Sequence, residues 1–325
     1  MSRSFALVGL AGITALTLTA CGGQPATSTS TSASSSSSAS APAAAATVTL
    51  DGSSTVAPLA EAAAAAFAAV EPNTRVTVAT SGTGGGFKKF CAGETDISNA
   101  SRAIKDEEKK ACADAGIDFT EIVIANDGLA VVVNKENTWA QCLTVAQLTT
   151  MWSPDSEGKV MSWKDVDPAF PDEKLTLFGA GTDSGTFDYF TAAINGEEGA
   201  SRTDYSPSED DNITVQGVSG EKGALGYFGL SYAEENASLL TTAKVDGGKG
   251  CVSPTVATVQ SGEYTPLSRP LFIYVANKAY TGKPAVKSFV DYFVKQSDTV
   301  AKAAKFVPMT AAQQKTASDE LASLA

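Results

Sequence analysis

The stretch Ile122-Val-Ile-Ala-Asn-Asp-Gly-Leu-Ala-Val-Val-Val-Asn134 is the longest β-rich run in the chain, and it decides how the fold is divided. The polar tripeptide Asn126-Asp127-Gly128 interrupts its middle. Such a break suits a chain that crosses from one lobe of a protein into another. A second apolar run, Pro270–Ala276, would carry the chain back. Two crossings predict two lobes, the first comprising residues 47–126 and 270–325 and the second comprising residues 127–269.

Length and patterning support this division. The segment of residues 47–325 is longer than a chain that folds around a single hydrophobic core usually is. Short β-rich segments alternate with helical ones, which is typical of an α/β fold. The elements expected in the first lobe are strands at Val48–Leu50, Thr74–Thr80 and Asp96–Ser101, and helices at Pro58–Val70, Gly84–Phe90 and Ala285–Lys295.

Three short segments place glycines and small hydroxyl residues between a β-rich stretch and a predicted helix: Gly52–Thr55, Ser81–Gly86 and Gly181–Thr186. A helix N-terminus leaves N–H groups without intrahelical partners and carries partial positive charge, so it can hold an anion. Each segment alone is explained more readily by simple N-capping. Ligands of open α/β sheets bind beyond the carboxyl ends of strands, so all three segments would meet at one cleft. Together they indicate a tetrahedral oxyanion held by hydroxyl and amide donors.

Longer strings around these segments occur in a recognisable order. They resemble the periplasmic phosphate-binding proteins that deliver phosphate to the phosphate-specific ABC transporter. The resemblance runs from about Val48 to the C-terminus. It implies a two-lobed periplasmic-binding-protein (type II) fold with the ligand cleft between the lobes, no enzymatic activity or cofactor, a monomer, and membrane permease subunits with an ATPase as partners. The strings are Asp51–Pro58, Ser81–Phe87, Ile97–Arg102, Gly181–Phe190 and Gly217–Tyr227.

The resemblance also implies which residues surround the phosphate. Arg102 is the expected charge partner, because a planar guanidinium can pair with two phosphate oxygens at once; the alternative for any arginine is a surface ion pair. The other residues donate hydroxyl or amide N–H groups, or accept the ligand proton. The predicted phosphate-binding residues are Ser53, Ser54, Thr55, Ser81, Gly82, Thr83, Gly84, Ser101, Arg102, Asp127, Asp183, Ser184, Gly185 and Thr186.

Selectivity against sulfate needs an acceptor for the proton that phosphate keeps at neutral pH. A buried carboxylate accepts that proton but repels fully ionised sulfate. One branch of the family has an Asp for this purpose where this chain has Ser101. The departure leaves Asp183 and Asp127 as candidates, of which Asp183 is slightly favoured for its neighbours.

The N-terminus predicts a bacterial lipoprotein signal over residues 1–20. Arg3 supplies positive charge, Phe5–Leu18 is an apolar run too short for a permanent membrane span, and Cys21 follows Leu-Thr-Ala. Lipidation of Cys21 would anchor the protein to the outer face of the cell membrane. The alternative is an ordinary cleaved signal with an incidental cysteine. Residues 22–46, rich in Ser and Ala, are expected to form a flexible tether.

Four further cysteines suggest two disulfides in an exported chain, with three possible connectivities. We predict Cys91–Cys112 and Cys142–Cys251, because each pair would then lie within one lobe. The chain has no histidine, and none of the cysteine spacings is C-x-x-C, which argues against a zinc site.

Composition and motifs exclude several other classes of function. The formal net charge of −12 argues against nucleic acid binding, and the absence of histidine excludes a Ser-His-Asp hydrolase. Ser219–Lys222 matches Ser-x-x-Lys, but the Ser-Asp-Asn and Lys-Thr-Gly motifs of penicillin-binding enzymes are missing. No P-loop motif is present. The remaining alternatives are a receptor for sulfate, molybdate or another oxyanion, and a surface antigen or adhesin with a secondary phosphate site.

Overall fold

The computed structural model describes residues 46–182 and 184–324, where strands and helices alternate along most of the chain. The strands are β1 (Ala46–Gly52), β2 (Thr74–Val78), β3 (Ile97–Ala100), β4 (Phe119–Asn134), β5 (Cys142–Thr144), β6 (Thr176–Ala180), β7 (Ser206–Ser208), β8 (Ala224–Gly229), β9 (Leu240–Thr242), β10 (Lys244–Asp246), β11 (Cys251–Val252) and β12 (Ser268–Ala276). The helices are α1 (Ala57–Ala68), α2 (Gly82–Cys91), α3 (Asp106–Asp114), α4 (Val145–Trp152), α5 (Trp163–Val166), α6 (Gly185–Asn195), α7 (Asp211–Gly220), α8 (Leu230–Glu235), α9 (Val256–Gln260), α10 (Asn277–Gly282), α11 (Pro284–Lys295), α12 (Ser297–Ala303) and α13 (Ala311–Leu324).

The larger sheet follows the order β2-β1-β3-β12-β4-β8-β6-β7, with β9 also paired to β4, and β11-β10-β5 form a smaller sheet. β1 pairs in parallel with both β2 and β3. Parallel neighbours need crossover connections, which α1 supplies between β1 and β2 and α2 supplies between β2 and β3. The carboxyl ends of these three strands therefore meet at one edge of the sheet, and the first two hydroxyl-rich segments and Ser101 follow them directly.

β4 runs through both halves of the sheet as one continuous strand of 16 residues. Up to Gly128 it pairs with β12, and from Leu129 it pairs with β8. The predicted interruption at Asn126-Asp127-Gly128 is therefore wrong as a break in the strand, although the strand changes partner at this point. The polar side chains can remain in the strand because each has a hydrogen-bond partner: Asn126 Nδ2 donates to the Pro308 carbonyl at 3.1 Å, and Asp127 accepts from Arg269.

Buried apolar side chains form two main cores on either side of this change of partner. One core lies within residues 48–125 and 271–317 and packs α1 and α11 against the sheet. The other lies within residues 129–267 and also includes Val307. The structure is thus a two-lobed α/β fold in which β4 and β12 are the crossing strands, as predicted.

The helix predicted at Ala285–Lys295 is confirmed as α11. Its apolar positions Val286, Phe289, Val290 and Phe293 are all buried in the first core. Their spacing of three and four residues places them on one helical face, which explains why a local pattern was sufficient to predict this element.

Each lobe contains one disulfide that links two of its elements. Cys91–Cys112 joins α2 to α3, and Cys142–Cys251 joins β5 to β11. Both predicted pairings are confirmed.

Loss of the second disulfide should destabilise the protein more than loss of the first. The paired cysteines lie 21 and 109 residues apart. In the chain-entropy model these closed loops contribute about 3 and about 5 kcal/mol, because the longer loop removes more freedom from the unfolded chain. Urea unfolding of the two Cys→Ala double variants measures the difference. A less stable Cys91→Ala/Cys112→Ala protein would contradict this expectation.

Candidate functional site

The first hydroxyl-rich segment lies between the end of β1 and the start of α1. Val56, which has no hydroxyl, occupies the N-cap position of α1, so the hydroxyls of the three preceding residues lie before the cap. The Ser53 N–H donates to the Asn99 carbonyl at 2.9 Å, which holds the loop against β3. Gly52 has a φ of +139°, and a Cβ there would lie 2.1 Å from the Asn99 oxygen. Simple N-capping therefore does not explain the serines and threonine of this segment.

The structure brings the first segment into contact with the third. Thr55 Oγ1 donates to the Gly185 carbonyl at 3.1 Å, and Ser54 Oγ donates to Asp188 Oδ2 at 3.4 Å. A Cβ on Gly185 would lie 2.5 Å from the backbone N of Thr55, so only glycine fits this approach. Residues from the two lobes therefore meet here, at the N-terminus of α6.

The third segment also shows that N-capping explains part of the sequence pattern. Ser184 is the N-cap residue of α6, and its Oγ accepts from the Thr186 N–H at 3.1 Å. Ser184 therefore caps α6. Asp183, the favoured acceptor for the ligand proton, lies outside the described residues.

In the second segment, Ser81 precedes α2, but its hydroxyl donates to Asp51 Oδ1 at 2.7 Å. The Lys89 ammonium group binds the other oxygen of this buried carboxylate. Burial opposes ionisation of Asp51, but the hydrogen bonds from Lys89 and Ser81 outweigh it and lower its pKa. Ser81 is thus held by a carboxylate at the base of the loop.

Thr83 and Ser101 form a second hydroxyl pair at the same edge of the sheet. Their side-chain oxygens lie 3.1 Å apart, and the Ser101 N–H donates to Thr83 Oγ1 at 3.3 Å. Both residues are buried. Gly82 has a φ of +73°, and a Cβ on Gly84 would lie 3.7 Å from Arg102 Nη2. The second segment therefore lies beside the residues that follow β3.

Arg102, the predicted charge partner, makes a two-pronged ion pair with Glu108. Its Nη1 and Nη2 each donate to one carboxylate oxygen at 2.8 Å, and Nη1 also donates to the Ala103 carbonyl. The hydrogen bond to Glu108 raises the pKa of Arg102. The two nitrogens that would pair with phosphate oxygens thus bind a carboxylate of the same chain.

Arg269 is absent from the predicted set of phosphate-binding residues, but it contacts several of them. Its Nη2 donates to Thr55 Oγ1 at 3.0 Å, its Nη1 donates to the Ser101 carbonyl at 3.1 Å, and its Nε donates to Asp127 Oδ2 at 3.3 Å. The guanidinium carbon lies 3.5 Å from the ring centroid of Tyr189. Arg269 joins Thr55, Ser101 and Asp127 into one cluster.

The sequence contains one signal that points to this cluster. Arg269 stands directly before the returning apolar run, and Asp127 lies in the polar interruption of the outgoing run. In the ladder between β12 and β4 these two residues are direct partners. Burial raises the pKa of Asp127, and the positive charge of Arg269 opposes that rise. The sequence therefore places a cation and an anion on the two crossing strands, where they can form an ion pair.

Comparisons with known proteins identify the family to which the chain belongs. A family model described as a PBP superfamily domain matches residues 36–297. The protein SphX of Synechocystis sp. is 45% identical over 260 residues, which cover 80% of this chain and 77% of SphX. The phosphate-binding protein PstS of Staphylococcus haemolyticus is 38% identical over 275 residues, or 84% of each chain. The chain belongs to the PstS family.

A solved relative of the PstS-family chain shows the same fold. The crystal structure of a possible phosphate binding protein from Planctomyces limnophilus is 48% identical and superposes with a TM-score of 0.81, covering 86% of this chain and 98% of that one. The predicted two-lobed periplasmic-binding-protein fold is confirmed. This is a family of solute-binding transport proteins, which are not enzymes.

One more carboxylate of this PstS-family chain lies at the junction of the lobes. Asp188, in the first turn of α6, is partly buried and accepts from Ser54. Burial raises its pKa, and the negative charge of Glu198 adds to the rise. Asp188 carries no distinctive signal in the sequence, because acidic residues are common in the first turn of a helix.

Proposed function

We propose that this protein is an extracytoplasmic receptor that captures inorganic phosphate and delivers it to an ABC importer. The observation that carries the proposal is the contact of Thr55 with Gly185, which joins two hydroxyl-rich loops from different lobes beside the guanidinium of Arg269. A cleft closed by both lobes surrounds a tetrahedral anion with donors that neither lobe has alone. The PstS protein of Staphylococcus haemolyticus, a relative over most of its length, carries the name phosphate-binding protein.

The proposed site uses the residues predicted from the sequence. Donors of the first lobe come from Ser53, Ser54 and Thr55, and from the segment that begins at Ser81. Donors of the second lobe come from the start of α6. Arg102 adds positive charge beside Gly84. The remaining donors of the proposed site are Gly82, Thr83, Ser101, Ser184, Gly185 and Thr186.

We propose that Asp183 accepts the proton of the bound phosphate. Asp127 already accepts a hydrogen bond from Arg269 and is buried with it, which leaves Asp183 as the better of the two predicted candidates. Replacing Asp183 by asparagine should narrow the preference for phosphate over sulfate, because an amide can donate to a fully ionised oxygen. Competition titrations measure the ratio of the two affinities. An unchanged ratio, with phosphate affinity retained, would contradict the assignment.

We propose that the predicted lobe boundaries, residues 47–126 with 270–325 and residues 127–269, mark the bodies that close on the ligand. The two buried cores support this division, because they change over between Ala125 and Leu129 on β4 and between Leu267 and Leu271 on the returning segment. The closed form of the monomer would then dock on the permease subunits, and a partner ATPase would supply the energy.

The proposed membrane anchor depends on the N-terminal sequence. Residues 1–20 as a signal, Cys21 as the lipidated residue and residues 22–45 of the proposed tether lie outside the described residues, whereas Ala46, the last residue of that tether, begins β1. In residues 46–182 and 184–324, no helix has both the length and the apolar character to cross a bilayer. Incorporation of radiolabelled palmitate in a bacterial host, lost in a Cys21→Ser variant, is the expected result. Equal labelling of the variant would contradict lipidation at this position.

Isothermal titration tests the proposed function. The full chain carrying Cys21→Ser, freed of bound anion by partial unfolding and refolding, is titrated with phosphate and then with sulfate at near-physiological salt. We expect one-to-one binding of phosphate and no heat from sulfate. Binding of sulfate in its place would keep the transport fold but overturn the ligand. No heat of binding with either anion, in a chain with an intact melting transition, would overturn the receptor proposal.

A further inference from the structure

We propose that Arg269 is the arginine that pairs directly with the bound phosphate, and that Asp127 and Tyr189 hold its guanidinium in position. This inference rests on the proposed function. It places the main positive charge of the cleft on the second crossing strand, at the junction of the two lobes, in a position that the motifs of the sequence did not indicate.

Arg269 has donors to offer a ligand. A guanidinium carries five N–H groups. Its Nε donates to Asp127, and each terminal nitrogen makes one hydrogen bond to a described residue, Nη2 to Thr55 and Nη1 to Ser101. Each terminal nitrogen carries a second N–H. Together these form the fork that pairs with two oxygens of a phosphate group.

The two arginines differ in what an arriving anion would have to displace. Both terminal nitrogens of Arg102 bind the carboxylate of Glu108 at 2.8 Å. The terminal nitrogens of Arg269 bind neutral oxygens, a hydroxyl and a carbonyl, and only its Nε faces the carboxylate of Asp127. An anion at Arg102 competes with a charged partner, whereas an anion at Arg269 replaces or joins neutral ones. The electrostatic balance therefore favours Arg269.

Burial strengthens this difference. The side chain of Arg269 is 16% exposed, against 33% for Arg102. A charge interaction is screened less where water is excluded. Both neutral partners of Arg269, Thr55 and Ser101, belong to the predicted phosphate site, so its fork already lies among the expected donors.

A cavity gives a ligand access to this guanidinium. Its volume is 460 Å³, and Arg269, Arg102, Ser101 and Tyr189 all line it. Glu198 also lines this cavity, and its negative charge acts on Arg102. The arrangement leaves Arg269 reachable from the space between β12, the loop after β3 and α6.

Tyr189 fixes the plane of the guanidinium. Its ring lies 3.5 Å below the guanidinium carbon, a cation–π contact. The Tyr189 hydroxyl donates to the Pro266 carbonyl at 2.8 Å, which fixes the ring in turn. Tyr189 is thus a positioning residue. Because it lies on α6, movement of the second lobe would change the support of Arg269 and link lobe closure to ligand binding.

The test compares matched substitutions in the full chain carrying Cys21→Ser, by phosphate titration together with thermal melting. Arg269→Gln should weaken phosphate binding by at least about 100-fold, as expected when one partner of a buried charge pair is removed. Arg102→Gln should weaken binding less than about tenfold, as expected for a part-exposed ion pair. Arg75→Gln, the same change at an exposed position on β2, should leave affinity unchanged. A larger loss for Arg102→Gln than for Arg269→Gln would overturn the proposal.

A second variant keeps the test valid if Arg269→Gln does not fold, because that change leaves Asp127 buried without its cation. The double variant Arg269→Gln/Asp127→Asn is neutral at this point, and it should fold and still show the 100-fold loss. Phosphate binding by this double variant at the unsubstituted affinity would overturn the proposal. Failure of the proposed function is a separate outcome, since the chain with Cys21→Ser alone would then not bind phosphate.

Discussion

Replacing Gly185 by alanine should weaken phosphate binding by about 5- to 150-fold, the range that corresponds to the 1 to 3 kcal/mol cost of overpacking a close contact. A Cβ at this position would lie 2.5 Å from both the backbone N and the Oγ1 of Thr55. The two residues that would clash, Gly185 and Thr55, belong to loops of different lobes. The clash therefore opposes closure of the cleft and leaves the core of each lobe unchanged.

The expected signature is a loss of affinity without a loss of stability. Titration with phosphate measures the first, and thermal melting in phosphate-free buffer measures the second. Gly220→Ala is a matched control, because a Cβ there meets no other atom within 4 Å. The control should bind phosphate as the unsubstituted chain does. A Gly185→Ala protein with unchanged affinity would show that ligand binding does not need the approach of Thr55 to Gly185.

Local sequence patterns were sufficient for the elements and for the covalent links. The strand expected at Thr74–Thr80 is observed at Thr74–Val78, and the helix expected at Gly84–Phe90 is observed at Gly82–Cys91. In the same way, the apolar periodicity of residues 285–295 predicts α11, and the even number of cysteines predicts two disulfides. In each case the residues that determine the structure are near one another in sequence, or are chemically restricted to a single partner type.

Long-range contacts account for what the sequence analysis could not supply. Arg269 reaches Thr55 across 214 residues and Ser101 across 168 residues. Asn126 finds its acceptor at Pro308, 182 residues away, and therefore remains inside a continuous strand. A motif describes which donors stand together along the chain, but not which carboxylate or arginine the fold brings to them. The motifs predict Ser81 and Arg102 as ligand-binding residues, but only the fold shows that their side chains also contact Asp51 and Glu108.

Replacing Gly52 by alanine should destabilise the whole protein by about 3 kcal/mol or more, the sum of backbone strain and overpacking. Its φ is +139°, which L side chains rarely adopt, and a Cβ would lie 2.1 Å from the Asn99 carbonyl oxygen. That oxygen accepts from the Ser53 N–H, so it cannot move away without breaking the attachment of the loop. A fall of the melting temperature by roughly 6 to 12 °C is expected for a protein of this size.

The effect of Gly52→Ala on function follows from its place between β1 and Ser53. A shifted Ser53 also displaces Ser54 and Thr55, the donors of the first lobe, so the variant should lose phosphate affinity as well as stability. Phosphate at 100 times the dissociation constant of the unsubstituted chain stabilises that chain by about 2.7 kcal/mol. At the same phosphate concentration, Gly52→Ala should show little of this gain. Gly116→Ala is the matched control, because it has a φ of +69° but no atom within 4 Å of its Cβ; it should keep the full gain from phosphate. If Gly52→Ala melts at a lower temperature yet keeps the full gain, the close packing of Gly52 serves the fold alone and the loop tolerates the shift without loss of binding.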